Sequence, residues 1–149
     1  MLVYCLIGKS ANYIFLMSGE TDIHTLLKNM TPVVNEGEYV FCTIDNPGKL
    51  SQDDIIGLFR EKESFTIILN KKIADQLNLR YNYIAAWITL TIHSSLDAVG
   101  LTAAFSKALA DASISCNVVA AYYHDHIFVD INDAGKALHV LRQLAEDFE

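Results

Sequence analysis

The chain has 149 residues, 52% hydrophobic and 19% charged, which is enough apolar material to close one substantial core or two small ones and excludes a disordered chain. A formal net charge of -7 excludes a surface of clustered Lys and Arg made to displace counterions from phosphates, so no nucleic-acid partner is expected. The three cysteines, Cys5, Cys42 and Cys116, are odd in number and far apart, which fits free thiols in a reduced, cytoplasmic compartment.

Residues 1–16 are apolar, yet they fail as an export signal or an anchor. No basic residue precedes the run, Lys9 and Asn12 interrupt it, and it is shorter than the roughly 20 residues a spanning helix needs. This stretch is expected to be an N-terminal extension, with an upstream mis-assigned start as the favoured origin and an extra strand or oligomer contact as the other. Gly8-Lys9-Ser10 matches the end of a phosphate-binding loop, but Val3 stands where the earlier glycine is required.

Residues 18–83 form a first half. An amphipathic segment at 22–30 precedes a strand at 38–44, and strands follow at 55–62 and 64–69, then a helix at 71–77 capped by Asn70. Between Ile44 and Ile55 the sequence is short and turn-rich, so no helix is expected there. The alternating charges Arg60, Glu61, Lys62 and Glu63 read as a solvated edge that discourages strand pairing, in preference to a site for a charged ligand.

Residues 84–149 form a second half with a cleaner pattern. Alternating, β-branched residues at 87–93 predict a strand with one covered face. In the loop at 94–100, Ser95 or Asp97 can accept hydrogen bonds from the next helix, and Gly100 permits close approach of backbone or ligand. A helix at 101–112 places Leu101, Ala104, Phe105, Ala108 and Leu109 on one stripe. Strands at 115–123 and 126–131 flank a tight turn at His124-Asp125. Asn132 or Asp133 caps a last helix whose stripe is Ala134, Ala137, Leu138, Leu141 and Leu144.

The halves align as a degenerate repeat, except that the first lacks its first helix and the second lacks a fourth strand. Segment 22–30 is expected to fill the missing helix. Each half lending the other an element would make them one folding unit.

Two chemical readings compete with a binding role. His124-Asp125-His126 supplies metal-ligand types, but a turn between strands breaks their common facing and no Cys or third His lies nearby in sequence, so no metal is expected. His93 beside Ser94 and Ser95 has no Gly-x-Ser-x-Gly elbow or identifiable oxyanion hole, so those serines read as turn residues. No catalytic residue and no cofactor are expected, and the chain is not expected to be an enzyme.

Asp97-Ala98-Val99-Gly100 after a strand, then the strand at 114–118 and the hairpin at 123–129, resemble an ACT domain. Residues 20–28, 37–43 and 59–63 resemble the other half of a small stand-alone tandem ACT protein, similar to the regulatory ACT domains of aspartate kinases. The resemblance implies an α+β, ferredoxin-like βαββαβ sandwich in two interlocked copies, the first degenerate, with antiparallel sheets and helices on one face. It also implies a regulatory protein that senses an amino acid or related metabolite at an interface between copies, at least a homodimer, without membrane attachment. By the same resemblance the ligand contacts are Leu96, Asp97, Ala98, Val99, Gly100 and Leu101, which offer backbone N–H groups to a carboxylate. Asp97 and Asp125 would receive an amino group or basic side chain, Tyr122, Tyr123 and His124 would form a side wall, and Asn117 would add a polar contact. The alternatives are a structural dimerisation module and an enzyme on a ferredoxin-like fold, which fold alone does not separate.

Overall fold

The structure is a computed structural model that describes residues 19–148. The expectation for residues 1–16 lies outside the described residues. The elements in order are α1 (Ile23–Asn29), β1 (Pro32–Val34), β2 (Tyr39–Ile44), β3 (Ile55–Arg60), β4 (Phe65–Asn70), α2 (Lys71–Gln76), β5 (Ile84–Leu90), α3 (Leu101–Asp111), β6 (Cys116–Ala120), β7 (Asp125–Asp130) and α4 (Ala134–Glu146). Short 3-10 turns lie at Pro47–Lys49, Gln52–Asp54 and Ile131–Asp133. Side chains start several of these. Asp22 accepts from the Thr25 N–H at 2.8 Å and Asn70 from the Lys72 N–H at 2.9 Å, each satisfying a donor the first helical turn leaves open. Asp130, rather than the expected Asn132 or Asp133, accepts from the Asn132 N–H at 2.9 Å and starts the 3-10 turn that runs into α4.

Seven antiparallel strands form one sheet in the order β3-β4-β2-β5-β7-β6, with β1 also on β5. β5 joins the halves. Its first residues pair with β2 (Val40↔Ile84, Tyr39↔Ala85), while β1 pairs further along (Val34↔Ile88, Pro32↔Leu90). Thus Ile84 and Ala85 serve as a fourth strand for β2, β3 and β4, and β1 serves as the fourth strand for β5, β6 and β7. The fourth strand that the second half lacks in sequence comes from the first. Between the two pairings, the chain from Val34 to Tyr39 faces the shorter run from Ile88 to Ala85, and the excess is absorbed as a bulge in which Gly37 takes φ +115°. Asn35 holds the bulge in place, donating its side-chain amide to the Trp87 carbonyl at 3.2 Å and to Thr89 Oγ1 at 2.9 Å.

The expectation that segment 22–30 fills the first half's missing helix is corrected here. Leu26, Leu27 and Met30 are buried instead among Leu101, Phe105, Leu109, Ile88 and Leu141, so α1 belongs to the core under α3 and α4. The reason is connectivity: only Met30 and Thr31 separate α1 from β1, and β1 is fixed on the second-half end of β5. Burying a side chain such as Phe105 or Leu26 contributes roughly 1.5–3 kcal/mol relative to exposure. A smaller core lies under α2, with Val40, Cys42, Ile67, Leu69 and Ala74. On the opposite face, Tyr39, Ile68, Ala85 and Phe128 are buried together, with Tyr39 edge-on to Trp87 at 5.2 Å and Phe41 edge-on to Phe128 at 5.3 Å. That cluster draws on both halves and ties them together. No described helix is long and apolar enough to cross a membrane.

Candidate ligand site at the β5–α3 loop

Where β5 ends at Leu90, the chain crosses to α3 through residues 91–100. Gly100 makes the turn into the helix with φ +106°, a conformation that costs an L side chain energy, and no side chain caps the helix. Ala104 donates to the Gly100 carbonyl at 2.9 Å, but the N–H groups of Leu101, Thr102 and Ala103 have no hydrogen-bond partner among the described residues. They leave a partial positive charge at the start of an 11-residue helix, directed at whatever occupies the loop. The expected caps act elsewhere: Ser95 Oγ accepts from the Asp97 N–H at 3.2 Å, inside the loop.

An N-terminal strap crosses this loop. Glu20 donates its N–H to the His93 carbonyl and accepts from the Ser95 N–H, both at 2.9 Å, making a parallel bridge with Ser94. The Glu20 carboxylate accepts from the Thr21 and Asp22 N–H groups, which fixes the strap to the start of α1. Gly19 is required there, because a Cβ would fall 2.4 Å from the Ser94 carbonyl carbon and the Ser95 nitrogen. Gly19, His93, Ser94, Ser95, Leu96 and Tyr122 enclose a hollow of about 130 Å³.

The residues singled out from sequence fall into two groups. Leu96 and Val99 project into solvent, at 67% and 84% exposure, and Asp97 is exposed beside them. Tyr122 and Tyr123 are also exposed, packed edge-on at 5.0 Å, with the His93 ring 6.2 and 5.5 Å away, so the hairpin does form an aromatic wall. Ala98 and Gly100 are half-buried, and Leu101 is buried in the core, leaving its N–H as its available group. Asn117 is exposed on β6, where it pairs with Phe128. His124 is half-buried, and its Nδ1 has no partner among the described residues.

Asp125 is 5% exposed and accepts a hydrogen bond from the Ser94 hydroxyl at 3.3 Å. Burial pushes its carboxyl above the ordinary range, and the Ser94 bond and the neighbouring His126 and His124 only partly offset this. His126 faces the other side of the sheet, where its Nδ1 accepts from the Trp87 indole N–H at 3.0 Å and burial lowers its pKa. His124, Asp125 and His126 therefore point to different surroundings. Among the described residues no three His, Cys, Asp or Glu side chains are grouped to hold a metal ion.

Comparison with known proteins fits this architecture. Family models described as ACT domain match residues 18–86 and 83–143. A solved structure from Vibrio cholerae, VC0802, described as a protein of unknown function and possible transport protein, is 43% identical. The match covers 83% of this chain and 95% of that one, with a TM-score of 0.71. The chain belongs to the ACT domain family. It carries two such domains in tandem, and ACT domains are typically regulatory and ligand-binding. The ligand-free regulatory subunit of aspartate kinase from Thermus thermophilus shares the fold at 12% identity, with coverage of 78% and 98% and a TM-score of 0.55. So does a putative C-terminal regulatory domain of aspartate kinase from Porphyromonas gingivalis, at 14% identity, coverage of 78% and 96%, and a TM-score of 0.52. No curated protein matches the sequence.

Proposed function

We propose that this tandem ACT protein is a cytoplasmic, non-catalytic regulator that binds an amino acid or related metabolite at the β5–α3 loop, between two copies of the chain. The observation that carries this reading is the uncapped N-terminus of α3 beneath a loop whose Leu96 and Val99 project into solvent. Unpaired helical N–H groups suit a ligand carboxylate, and large apolar side chains thrust outward suit a protein interface. The 130 Å³ hollow is smaller than the roughly 300 Å³ at the low end of ligand pockets, so a second copy would complete the site. Asp97 is the accessible acceptor for an amino group, with Tyr122, Tyr123 and His124 as the wall and Asn117 reached from β6. Asp125 supports the loop from below through Ser94. Binding would stiffen the loop and shift how copies associate, with no bond broken.

A thermal-shift screen of the full chain against the twenty amino acids and common metabolites tests the proposal, since a ligand that binds only the folded state raises its melting temperature. The expected result is a saturable shift for one chemical group of compounds, reduced in Asp97→Ala. A flat response at millimolar concentration for every compound would favour a structural dimerisation module.

A further inference from the structure

On its way to α1 the chain crosses the β5–α3 loop and touches it at both ends. At one end the Glu20 main chain bonds residues 93 and 95, on either side of Ser94. At the other, the Ile23 side chain lies against Gly100, where an added Cβ would meet it at 3.5 Å. Gly100 immediately precedes the N–H groups of Leu101, Thr102 and Ala103, which have no partner among the described residues.

The two ends differ in how firmly they are held. Ile23 opens α1, which Leu26 and Leu27 bury in the core and which the Thr31 carbonyl ties to the Thr91 N–H at 3.0 Å beyond its far end. Gly19 to Thr21 lie ahead of that helix, so they can lift without unfolding it. Lifting gives up two bonds, from the Glu20 N–H to the His93 carbonyl and from the Ser95 N–H to the Glu20 carbonyl. With the strap down, Gly19 walls a hollow of about 130 Å³, below the roughly 300 Å³ at the low end of ligand pockets. The strap also grips the residues flanking Ser94, whose hydroxyl donates to the buried Asp125.

We propose that residues 19–21 are an autoinhibitory strap, which lifts from Ser94 and Ser95 before the β5–α3 loop admits its ligand. Lifting removes Gly19 from the wall of the hollow, frees the Ser95 N–H and uncovers Ser94. Strap and ligand then compete for one loop, and the apparent affinity is reduced by the fraction of molecules whose strap is up. Ile23, packed on Gly100, is the fixed end about which the strap moves. The inference rests on the proposed ligand site and adds the device that controls it.

The test titrates an equimolar mixture of the twenty L-amino acids into the full chain and into two variants, reading each melting temperature against its own ligand-free value. Gly19→Ala forces the strap up, so its shift should begin at a concentration about tenfold or more below that of the wild type, the scale of two lost hydrogen bonds. Glu20→Ala adds no clash but removes the carboxylate that accepts from the Thr21 and Asp22 N–H groups, so its onset should fall in between. General destabilisation would not tighten binding. Hydrogen exchange of the wild type supplies a second readout: with the mixture present, the Glu20 amide should exchange faster while those of Leu101, Thr102 and Ala103 slow. An unchanged or higher onset in both variants would overturn the strap and leave the regulator reading intact. Slower exchange at Glu20 on binding would do the same, because the strap would then close over the ligand. No shift in the wild type or either variant would remove both.

Discussion

Trp87 donates its indole N–H to Nδ1 of His126 at 3.0 Å, across the β5–β7 ladder and on the face of the sheet away from the helices. The indole N–H can only donate, so Nδ1 must be unprotonated, and burial lowers the pKa of His126 from the ordinary 6.5. His124 pushes it in the same direction and Asp125 opposes. With the folded pKa below the unfolded one, the unfolded chain takes up the proton first as pH falls. Stability is therefore full above about pH 6.5 and declines as the pH drops below that value toward the folded pKa. Trp87 is the sole tryptophan of the chain, so its emission reports the event directly. Acidification below about pH 6.5 should lower the melting temperature, and Trp87 emission of the folded protein should change only as the pH falls through the lowered folded pKa of His126. His126→Gln, which keeps an acceptor but cannot titrate, should flatten both.

Asp125 should behave with the opposite sign. Its folded pKa is raised, so the unfolded chain loses the proton first as pH rises through the carboxylate range, and stability falls until the folded pKa is passed. Above that point the cost is constant. Asp125→Asn retains an acceptor for Ser94 and removes the buried charge, so it should melt at or above the wild-type temperature at pH 7. Its advantage should vanish in acid. Melting curves for both proteins at pH 3 and pH 7 check this.

Gly19→Ala should detach the strap, because the new Cβ would meet main-chain atoms of Ser94 and Ser95 at 2.4 Å. The Ser95 N–H then loses its acceptor, the Glu20 carbonyl. Hydrogen exchange at Ser95 should accelerate at least tenfold while the strands under α3 keep their protection. The stability loss should be about 1 kcal/mol per hydrogen bond given up.

Leu26 lies near the start of the chain, yet its side chain is fully buried in the core of the second half. Leu26→Ala should cost roughly 2–5 kcal/mol, the range for emptying a buried leucine site. Urea melts followed by Trp87 emission and by far-ultraviolet circular dichroism should shift together, because β5 belongs to both halves.

Most elements were legible because their periodicity was local. The alternation read at 87–93, which found the strand but placed it three residues late against Ile84–Leu90, the α3 stripe of Leu101, Phe105 and Leu109, and the Asn70 cap each need only a few neighbouring residues to read. The destination of α1 was not, since an amphipathic helix announces that one face is buried without naming what buries it. The two-residue link from α1 to β1 carried that information, but only once β1 was known to pair with β5. The β5–α3 loop was found from its residues, whereas burial of Asp125 and the strap over Ser94 depend on contacts distant in sequence.

On the proposed function, the protein binds a small molecule and leaves it unchanged. Saturation-transfer proton NMR on the full chain with a mixture of amino acids reads both parts at once. The predicted result is transfer from protein to one chemical group of amino acids, with the ligand spectrum constant over hours. Absence of transfer to every amino acid, or conversion of the bound one into a new species, would contradict the account.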